Sequence, residues 1–109
     1  MSKYIVVTTL CDKEEIKDKI IDSLLEKRLV AGSQVSIVKS KYLWNNNLEE
    51  NDEYKIEFRT RKDLYKEIEE EIRSIHDYEV CEISYYEIDG SNEFIKWIDD
   101  SVRSETHFI

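Results

Sequence analysis

One short segment gathers most of the side chains that could do chemistry. Residues 76–82 include an imidazole, a thiol and two glutamate carboxylates, as His76, Glu79, Cys81 and Glu82. These are the groups that bind transition metals in proteins, so the segment is a candidate metal site. The alternative is structural, with His76 as a cation at a helix end and Cys81 as a small buried residue. Spacing alone favours the structural interpretation, because one histidine and one cysteine do not complete a site.

Composition and charge limit the classes of partner. The chain has 109 residues, of which 38% are charged, and its formal net charge is -9. Such a surface repels nucleic acid and attracts cations, so we expect no nucleic-acid partner. No apolar run is long enough to span a bilayer, and we expect neither membrane association nor a secretory leader. Two cysteines, Cys11 and Cys81, indicate reduced thiols and a cytoplasmic protein.

Runs of β-favouring or alternating residues predict four strands. The first run is almost continuously apolar, which is typical of a strand buried on both faces. The predicted strands are Tyr4–Thr9, Gln34–Trp44, Glu53–Arg61 and Tyr78–Ile88. Asparagine occupies positions 45–47 and tolerates left-handed backbone conformations, so it predicts a turn. The second and third strands should therefore form one long hairpin.

Apolar residues at helical spacing predict three helices. The predicted ranges are Ile16–Leu29, Thr60–His76 and Phe94–Val102. We expect Asp12 to cap the first helix, with Glu15 as its capping-box partner, and Gly32 to follow its end. Thr60 is the expected cap of the second helix, and Gly90–Asn92 should form a turn that caps the third.

The order of these elements predicts the fold class. A β-α-β-β-α-β sequence followed by a further helix is typical of an α+β, ferredoxin-like fold, with an antiparallel sheet and two helices packed on one face. We expect a single domain over residues 1–104 and a short C-terminal tail over residues 105–109. Proteins with this fold have many different functions, so the fold alone does not predict the function of this chain.

The long hairpin predicts association between copies of the chain. Its second strand ends in Tyr42, Leu43 and Trp44, beyond what a compact four-stranded sheet would cover. Left alone, an aromatic-tipped hairpin would be an exposed edge and an aggregation hazard. Pairing with another copy removes that hazard, so we expect an oligomer, whether isologous or ring-like.

Catalysis finds little support in the sequence. Cys11 or Cys81 could act as a nucleophile with His76 as its base, but no motif places them together. A glycine-rich phosphate loop is absent, since the chain contains only two glycines. We therefore expect a protein that is not an enzyme.

Six short pieces, in order and at matching separations, resemble the CutA divalent-cation-tolerance family. The resemblance covers about residues 3–103, and its pieces are Tyr4–Thr9, Leu25–Ala31, Tyr42–Trp44 with Leu48–Glu50, Phe58–Thr60, His76–Ile83 and Phe94–Ile98. It implies a ferredoxin-like subunit of a compact homotrimer, related in architecture to PII-like signalling trimers. Between such subunits lies a cleft, which Tyr42, Trp44 and Tyr78 would shape.

The resemblance also implies metal ligands, copper most often, with no obligatory cofactor. It carries the family's proposed cysteine and histidine ligands to Cys11 and His76, and it sets Glu79 and Glu82 beside the cleft. The family usually has proline where this chain has Asp77 and Cys81, so Cys81 is either an added ligand or a strand residue. Soft thiolate suits Cu(I), whereas imidazole with carboxylate suits Cu(II) or Zn(II).

A second function class remains open beside metal binding. The chain would then be a PII-like signalling or scaffold trimer that binds a small metabolite or a partner protein. The net charge of -9 opposes an anionic ligand. Locally, four cations near the hairpin could still gather to bind one: Lys39, Lys41, Arg59 and Arg61.

Overall fold

A computed structural model describes residues 2–104 of the chain. The predicted tail, residues 105–109, lies outside the described residues. The strands are β1 (Tyr4–Cys11), β2 (Gly32–Trp44), β3 (Asn47–Arg61) and β4 (Ile83–Ile88). The helices are α1 (Glu14–Glu26), α2 (Tyr65–Ile75) and α3 (Asn92–Ser101), and a single 3-10 turn covers Lys62–Leu64.

The four strands form one antiparallel sheet in the order β2-β3-β1-β4. This is the ferredoxin-like arrangement, so the predicted fold class is confirmed. β1 lies in the middle, which explains why its apolar run has no polar alternation: Val6 and Val7 point to opposite faces and both are buried.

The core lies between the sheet and the helices α1 and α2. Apolar residues of β1 and β3 meet the apolar stripes of both helices there, and the fully buried members are Ile5, Val7, Cys11, Ile20, Leu24, Ile56, Phe58, Ile68 and Ile72. Ile68 and Ile72 of α2 point inward, as their spacing predicts, while Glu67 and Glu70 are exposed. Burial of this apolar surface is the main favourable contribution to folding.

Helix α1 begins and ends differently from the prediction. Its N-cap is Lys13, with no side-chain cap bond, so the predicted Asp12 cap with Glu15 is wrong. At the other end, Arg28 takes a positive φ of 55° and reverses the chain after Glu26. Gly32 instead opens β2, where a Cβ would lie 3.0 Å from the ring of Trp97.

The second helix also starts later than predicted. Thr60 lies in β3, where its hydroxyl donates a 2.6 Å hydrogen bond to the carbonyl of Leu29. Thr60 is fully buried, and this contact joins β3 to the turn after α1. The third helix is capped within the predicted turn, where the Ser91 hydroxyl accepts a hydrogen bond from the Phe94 amide.

The starts of β3 and β4 differ most from the predicted strand boundaries. β3 starts at Asn47 rather than Glu53, because Leu48 to Glu53 continue to pair with β2 beyond the predicted start. β4 starts at Ile83 rather than Tyr78, because its pairing with β1 begins at Thr9↔Ile83. Residues 78–82 are therefore a connecting segment, in which Val80 is exposed.

The buried threonines of the sheet provide a matched pair of variants. We expect Thr60→Val to lower the free energy of unfolding by about 1–2 kcal/mol, because the Leu29 carbonyl loses a buried donor. Thr9→Val should leave stability unchanged or raise it slightly, since the Thr9 hydroxyl is buried and has no hydrogen-bond partner within residues 2–104. Urea unfolding at one fixed protein concentration measures both. Equal losses in the two variants would contradict the assigned role of the Thr60 hydroxyl.

Candidate functional site

A groove separates the distal part of the β2–β3 hairpin from the segment before β4. We call it the hairpin groove, and its volume is about 780 Å³. Strand β1 forms one end of it through Leu10. The residues that line it and have polar or aromatic side chains are Asp12, Ser40, Lys41, Tyr42, Trp44, Asn51, Glu53, Tyr78, Glu79 and Glu82.

The hairpin wall exists because β2 and β3 outrun the rest of the sheet. β1 pairs with β3 only as far as Cys11↔Tyr54, whereas β2 continues to pair with β3 from Val38↔Glu53 to Trp44↔Asn47. We call this unsupported part the hairpin arm. Asn45 and Asn46 close it with positive φ angles of 52° and 66°, the conformation of a two-residue turn that matches strand twist.

Strand alternation decides which side chains reach the groove. Successive residues of a strand point to opposite faces. On β1 this places Leu10 on the groove side and Cys11 in the core, where Cys11 is fully buried. Burial raises the pKa of the Cys11 thiol, and the nearby carboxylates of Asp12, Asp77 and Glu53 add to this rise. Cys11 is therefore a protonated core thiol, not a thiolate facing the groove.

His76 holds the start of the segment that forms the other wall. Its side chain is only 1% exposed. Nε2 lies 2.6 Å from the Leu10 carbonyl, and Nδ1 accepts a 3.1 Å hydrogen bond from the Tyr78 amide. An Nδ1 that accepts must be unprotonated, so Nε2 carries the proton and donates to Leu10. Both ring nitrogens are thus engaged with backbone groups, and neither presents a free lone pair.

An ion pair fixes the same segment to the beginning of α1. The Asp77 carboxylate accepts a hydrogen bond from the ammonium group of Lys13. This contact lowers the pKa of Asp77 and raises that of Lys13, because each charge favours the other. The backbone of His76 is extended, with φ −65° and ψ 145°. Residues 76–78 are therefore tied to β1 and α1 by side chains rather than by a strand ladder.

Tyr78 connects the two walls of the groove. Its hydroxyl donates a 2.8 Å hydrogen bond to Oε2 of Glu53, which lies where the hairpin arm leaves the sheet. Glu53 is 7% exposed, so this donor offsets part of the cost of burying a carboxylate. Burial, and then the contact with Glu53, raise the pKa of Tyr78 above its ordinary range. The phenol therefore stays a neutral donor.

The structure brings together five of the eight predicted site residues. Those that line the hairpin groove are Tyr42, Trp44, Tyr78, Glu79 and Glu82. Three others do not line it: Cys11 lies in the core, His76 lies behind Tyr78 with its nitrogens engaged, and Cys81 is half-buried just before β4 with a pKa raised by burial. Among residues 2–104, no group of three or more His, Cys, Asp or Glu side chains could hold a metal ion.

Sequence reasoning missed two carboxylates of the groove. Asp12 was assigned to a helix cap, and Glu53 to the polar face of a strand. Neither position carries a local signal, because the burial of Glu53 depends on Tyr78, 25 residues away along the chain. The alternation of β3 does place Glu53 and Asn51 on one face, which is the only available hint.

The fold places this chain among α+β proteins with a ferredoxin-like sheet, and the projecting hairpin arm distinguishes it within that class. The sequence comparison then gives the family: residues 4–101 match the CutA1 divalent ion tolerance protein family, and the chain belongs to it. The divalent-cation tolerance protein CutA of Pyrococcus horikoshii is 33% identical over 100 residues, which cover 91% of this chain and 97% of that protein.

Solved structures agree with the family assignment. CutA1 from the psychrotrophic bacterium Shewanella sp. SIB1 superposes with a TM-score of 0.89 at 28% identity, covering 94% of this chain and 98% of that one. The Archaeoglobus fulgidus protein, described as a periplasmic divalent cation tolerance protein CutA, gives a TM-score of 0.88 at 28% identity, with coverage of 92% and 99%. The descriptions of these relatives name tolerance of divalent ions and no reaction.

The hydrogen bond between Tyr78 and Glu53 should contribute measurably to stability. We expect Tyr78→Phe to lower the free energy of unfolding by about 1–2 kcal/mol at pH 7, because a buried carboxylate loses its donor. Tyr86→Phe is the control, since the Tyr86 hydroxyl lies 3.4 Å from Glu57 in an exposed contact. Urea unfolding compares the two variants. A Tyr78→Phe loss no larger than that of Tyr86→Phe would refute the proposed link between the walls.

The Lys13–Asp77 pair should give a pH-dependent stability difference. The pKa of Asp77 is lowered in the folded chain, so its contribution is present above the unfolded value of about 3.9 and is lost as pH falls through the folded value. We expect Asp77→Asn to lower the melting temperature slightly at pH 7, and by progressively less as the pH falls below the unfolded-state pKa of Asp77. Lys13→Gln should cause a similar loss at pH 7, and the double variant should lose no more than either single variant. Additive losses would show that the two residues do not interact.

Proposed function

We propose that the chain forms a homotrimer that binds divalent cations in the hairpin groove, with a neighbouring subunit closing the groove. The observation that carries this proposal is a groove lined by carboxylates, one wall of which is a hairpin arm that pairs with no other strand within residues 2–104. Membership of the CutA1 divalent ion tolerance family supports it, because tolerance requires the protein to respond to such ions.

The hairpin arm supports an oligomer. β2 is an edge strand over its whole length, and a two-stranded ribbon alone is marginally stable in water. Apolar side chains on β2 and β3 are between 44% and 74% exposed: Val35, Ile37, Leu43 and Leu48. Pairing and packing against other copies would cover both the open edge and these side chains. The family resemblance is the source of the number three.

The donor chemistry of the groove supports a hard divalent cation. Asp12, Glu79 and Glu82 offer carboxylate oxygens, which suit Mg²⁺, Mn²⁺ or Ca²⁺. Since no three such groups converge within residues 2–104, the remaining ligands would be water or groups of the neighbouring subunit. The buried thiol of Cys11 does not fit a Cu(I) site. Binding through His76 would cost the hydrogen bond from Tyr78, so we assign His76 a structural role.

The state of the cysteines and the length of the helices bear on the cellular compartment of the protein. Both thiols are unpaired, which suits a reducing compartment, and we propose the cytoplasm. Within residues 2–104 no helix is long and apolar enough to cross a membrane. We also propose that the protein is not an enzyme, because the thiols and His76 have protonation states and contacts that suit packing rather than nucleophilic attack.

The signalling alternative finds no specific support around the hairpin. Each of the four cations that could have gathered into an anion site lies within 4 Å of a carboxylate. The pairs are Lys39 with Asp52, Lys41 with Glu50, Arg59 with Glu57 and Arg61 with Asp63. A small anionic metabolite would have to compete with these contacts.

Calorimetric titration with Mn²⁺, Zn²⁺ and Cu²⁺, with mass from light scattering, tests the proposal. We expect a trimeric mass and saturable binding that weakens at least tenfold in Glu79→Gln/Glu82→Gln, because two ligand charges are lost. The control is Glu70→Gln/Glu93→Gln, which removes the same charge at exposed helix positions away from the groove.

The outcomes separate the parts of the proposal. If metal affinity falls equally in the two double variants, binding depends on net charge alone, and this result would overturn the assignment of the metal site to the groove. A monomeric mass at micromolar concentration would overturn the oligomer. No saturable heat with any of the three metals would favour the signalling or scaffold alternative.

A further inference from the structure

The Nδ1 atom of His76 has two neighbouring groups with opposite hydrogen-bonding roles. In the neutral ring this atom accepts a 3.1 Å hydrogen bond from the amide of Tyr78. Oδ1 of the Asp77 carboxylate lies 3.7 Å from the same atom. A neutral Nδ1 cannot donate to the carboxylate, whereas a protonated Nδ1 can donate and no longer accepts from an amide. One proton therefore decides which of the two groups the ring can bond.

The charged groups around the ring come from several elements. Asp77 is bonded through its other oxygen, Oδ2, to Lys13 beside the start of α1. From β1, the buried thiol of Cys11 follows the Leu10 carbonyl to which Nε2 donates. The ring of Tyr78 lies 4.6 Å from the imidazole, centroid to centroid. The remaining charged groups near this cluster are Asp12 before α1, Glu53 on β3, and Arg73 on α2, which pairs with Glu69.

Protonation of the imidazole exchanges one set of contacts for another. The proton comes from solvent and binds Nδ1, and only hydrogen bonds change. A movement of Nδ1 by about 1 Å brings it within hydrogen-bond distance of Oδ1 of Asp77. The protonated ring then shares the Asp77 carboxylate with Lys13. At the same time the Tyr78 amide loses its acceptor, because two N–H groups cannot bond to each other.

The segment after His76 depends on that acceptor more than a paired strand would. Residues 78–82 belong to no strand, since β4 begins to pair with β1 at Ile83. Two contacts of Tyr78 hold the start of the segment: its amide bonds to His76 and its hydroxyl bonds to Glu53. Val80 is 68% exposed and adds little packing. Segments with few buried contacts open at low free-energy cost, so loss of the amide bond loosens the whole segment.

From these contacts we propose that His76 is a proton-driven switch for one wall of the hairpin groove. The neutral ring bonds to the Tyr78 amide, and the protonated ring bonds to the Asp77 carboxylate and releases residues 78–82. A proton needs no open groove, so the switch operates whether or not a neighbouring subunit covers the groove. Glu79 and Glu82 belong to the released segment, so acid also loosens the cation ligands. Only this last consequence rests on the proposed function.

¹⁵N NMR of the metal-free full chain between about pH 8 and pH 5 tests the switch, because histidine side chains change charge in this range. The chain has two histidines, so His107→Gln is the background in which His76 is the remaining imidazole. We expect the Tyr78 amide signal to shift with the same midpoint as the His76 ring nitrogens. A ring that stays neutral throughout the range would overturn the proposal. So would a protonated ring with an unmoved Tyr78 amide signal.

Two variants should move the midpoint in opposite directions. Asp77→Asn removes the acceptor of the protonated ring and should lower the midpoint by about one pH unit. Lys13→Gln removes a competing cation and should raise the midpoint by about half a pH unit. A purely structural role of the ion pair would move both midpoints the same way, because either variant breaks the same contact. Shifts in one direction would therefore refute Asp77 as the second partner.

The matched controls are Lys96→Gln and Asp100→Asn, which break an exposed ion pair of the same residue types on α3. Each should shift the midpoint by less than about 0.2 pH unit, because solvent and salt screen distant charges. Shifts as large as those of the Lys13 and Asp77 variants would mean that net charge sets the midpoint and would contradict the switch.

His76→Asn supplies a side chain that does not titrate in this range, and it should abolish the shift of the Tyr78 amide signal. A retained shift would overturn the role of the imidazole, and the Asp77 and Lys13 variants keep the test decisive if this core variant does not fold. Calorimetric metal titration of the same protein at pH 7 separates the two proposals. Metal failure with an intact switch overturns only the metal site, and an absent switch with intact metal binding overturns only the switch.

Discussion

The imidazole of His76 joins two backbone groups that no secondary structure would otherwise connect. It donates to the carbonyl of Leu10 near the end of β1 and accepts from the amide of Tyr78. Because residues 78–82 lack a strand partner, their position depends on such side-chain contacts, with Asp77 and Tyr78 adding one each. A buried, fully satisfied ring is a rigid support, since leaving either nitrogen unpaired would cost free energy. These contacts therefore position residues 78–82 as one wall of the hairpin groove.

The other wall follows from an imbalance in strand length. β2 and β3 pair far beyond β1, so the hairpin arm leaves the sheet and carries Tyr42 and Trp44 with it. Glu53 is placed at the point of departure, where Tyr78 reaches it. The same feature therefore creates a groove, buries a carboxylate at its floor and leaves an open edge. Association between copies and attraction of cations are two consequences of one geometric mismatch.

Patterns within single elements predicted most of the fold. The alternation of Tyr54, Ile56 and Phe58, the helical spacing of Ile68 and Ile72, and the asparagine turn all gave the correct elements and topology. The errors arose where a distant group decides the outcome. Thr60 resembles a helix cap locally, but its hydroxyl bonds to Leu29 across the fold. Tyr78 and Val80 favour a strand, but β1 pairs with β4 only from Ile83 onward.

The sequence indicated which segment lines the groove, but not the roles of the individual side chains near it. The segment 76–82 does form a wall of the groove, and Glu79 and Glu82 line it. Residue type and the family resemblance suggested metal coordination by His76 and Cys11, whereas the roles of these two residues depend on the orientation of a strand and on two backbone groups. The most direct test is ¹⁵N NMR of the His76 ring with and without Zn²⁺. The account predicts a neutral ring protonated at Nε2 in both conditions, and a Zn²⁺-induced shift of Nδ1 to a metal-bound value would contradict it.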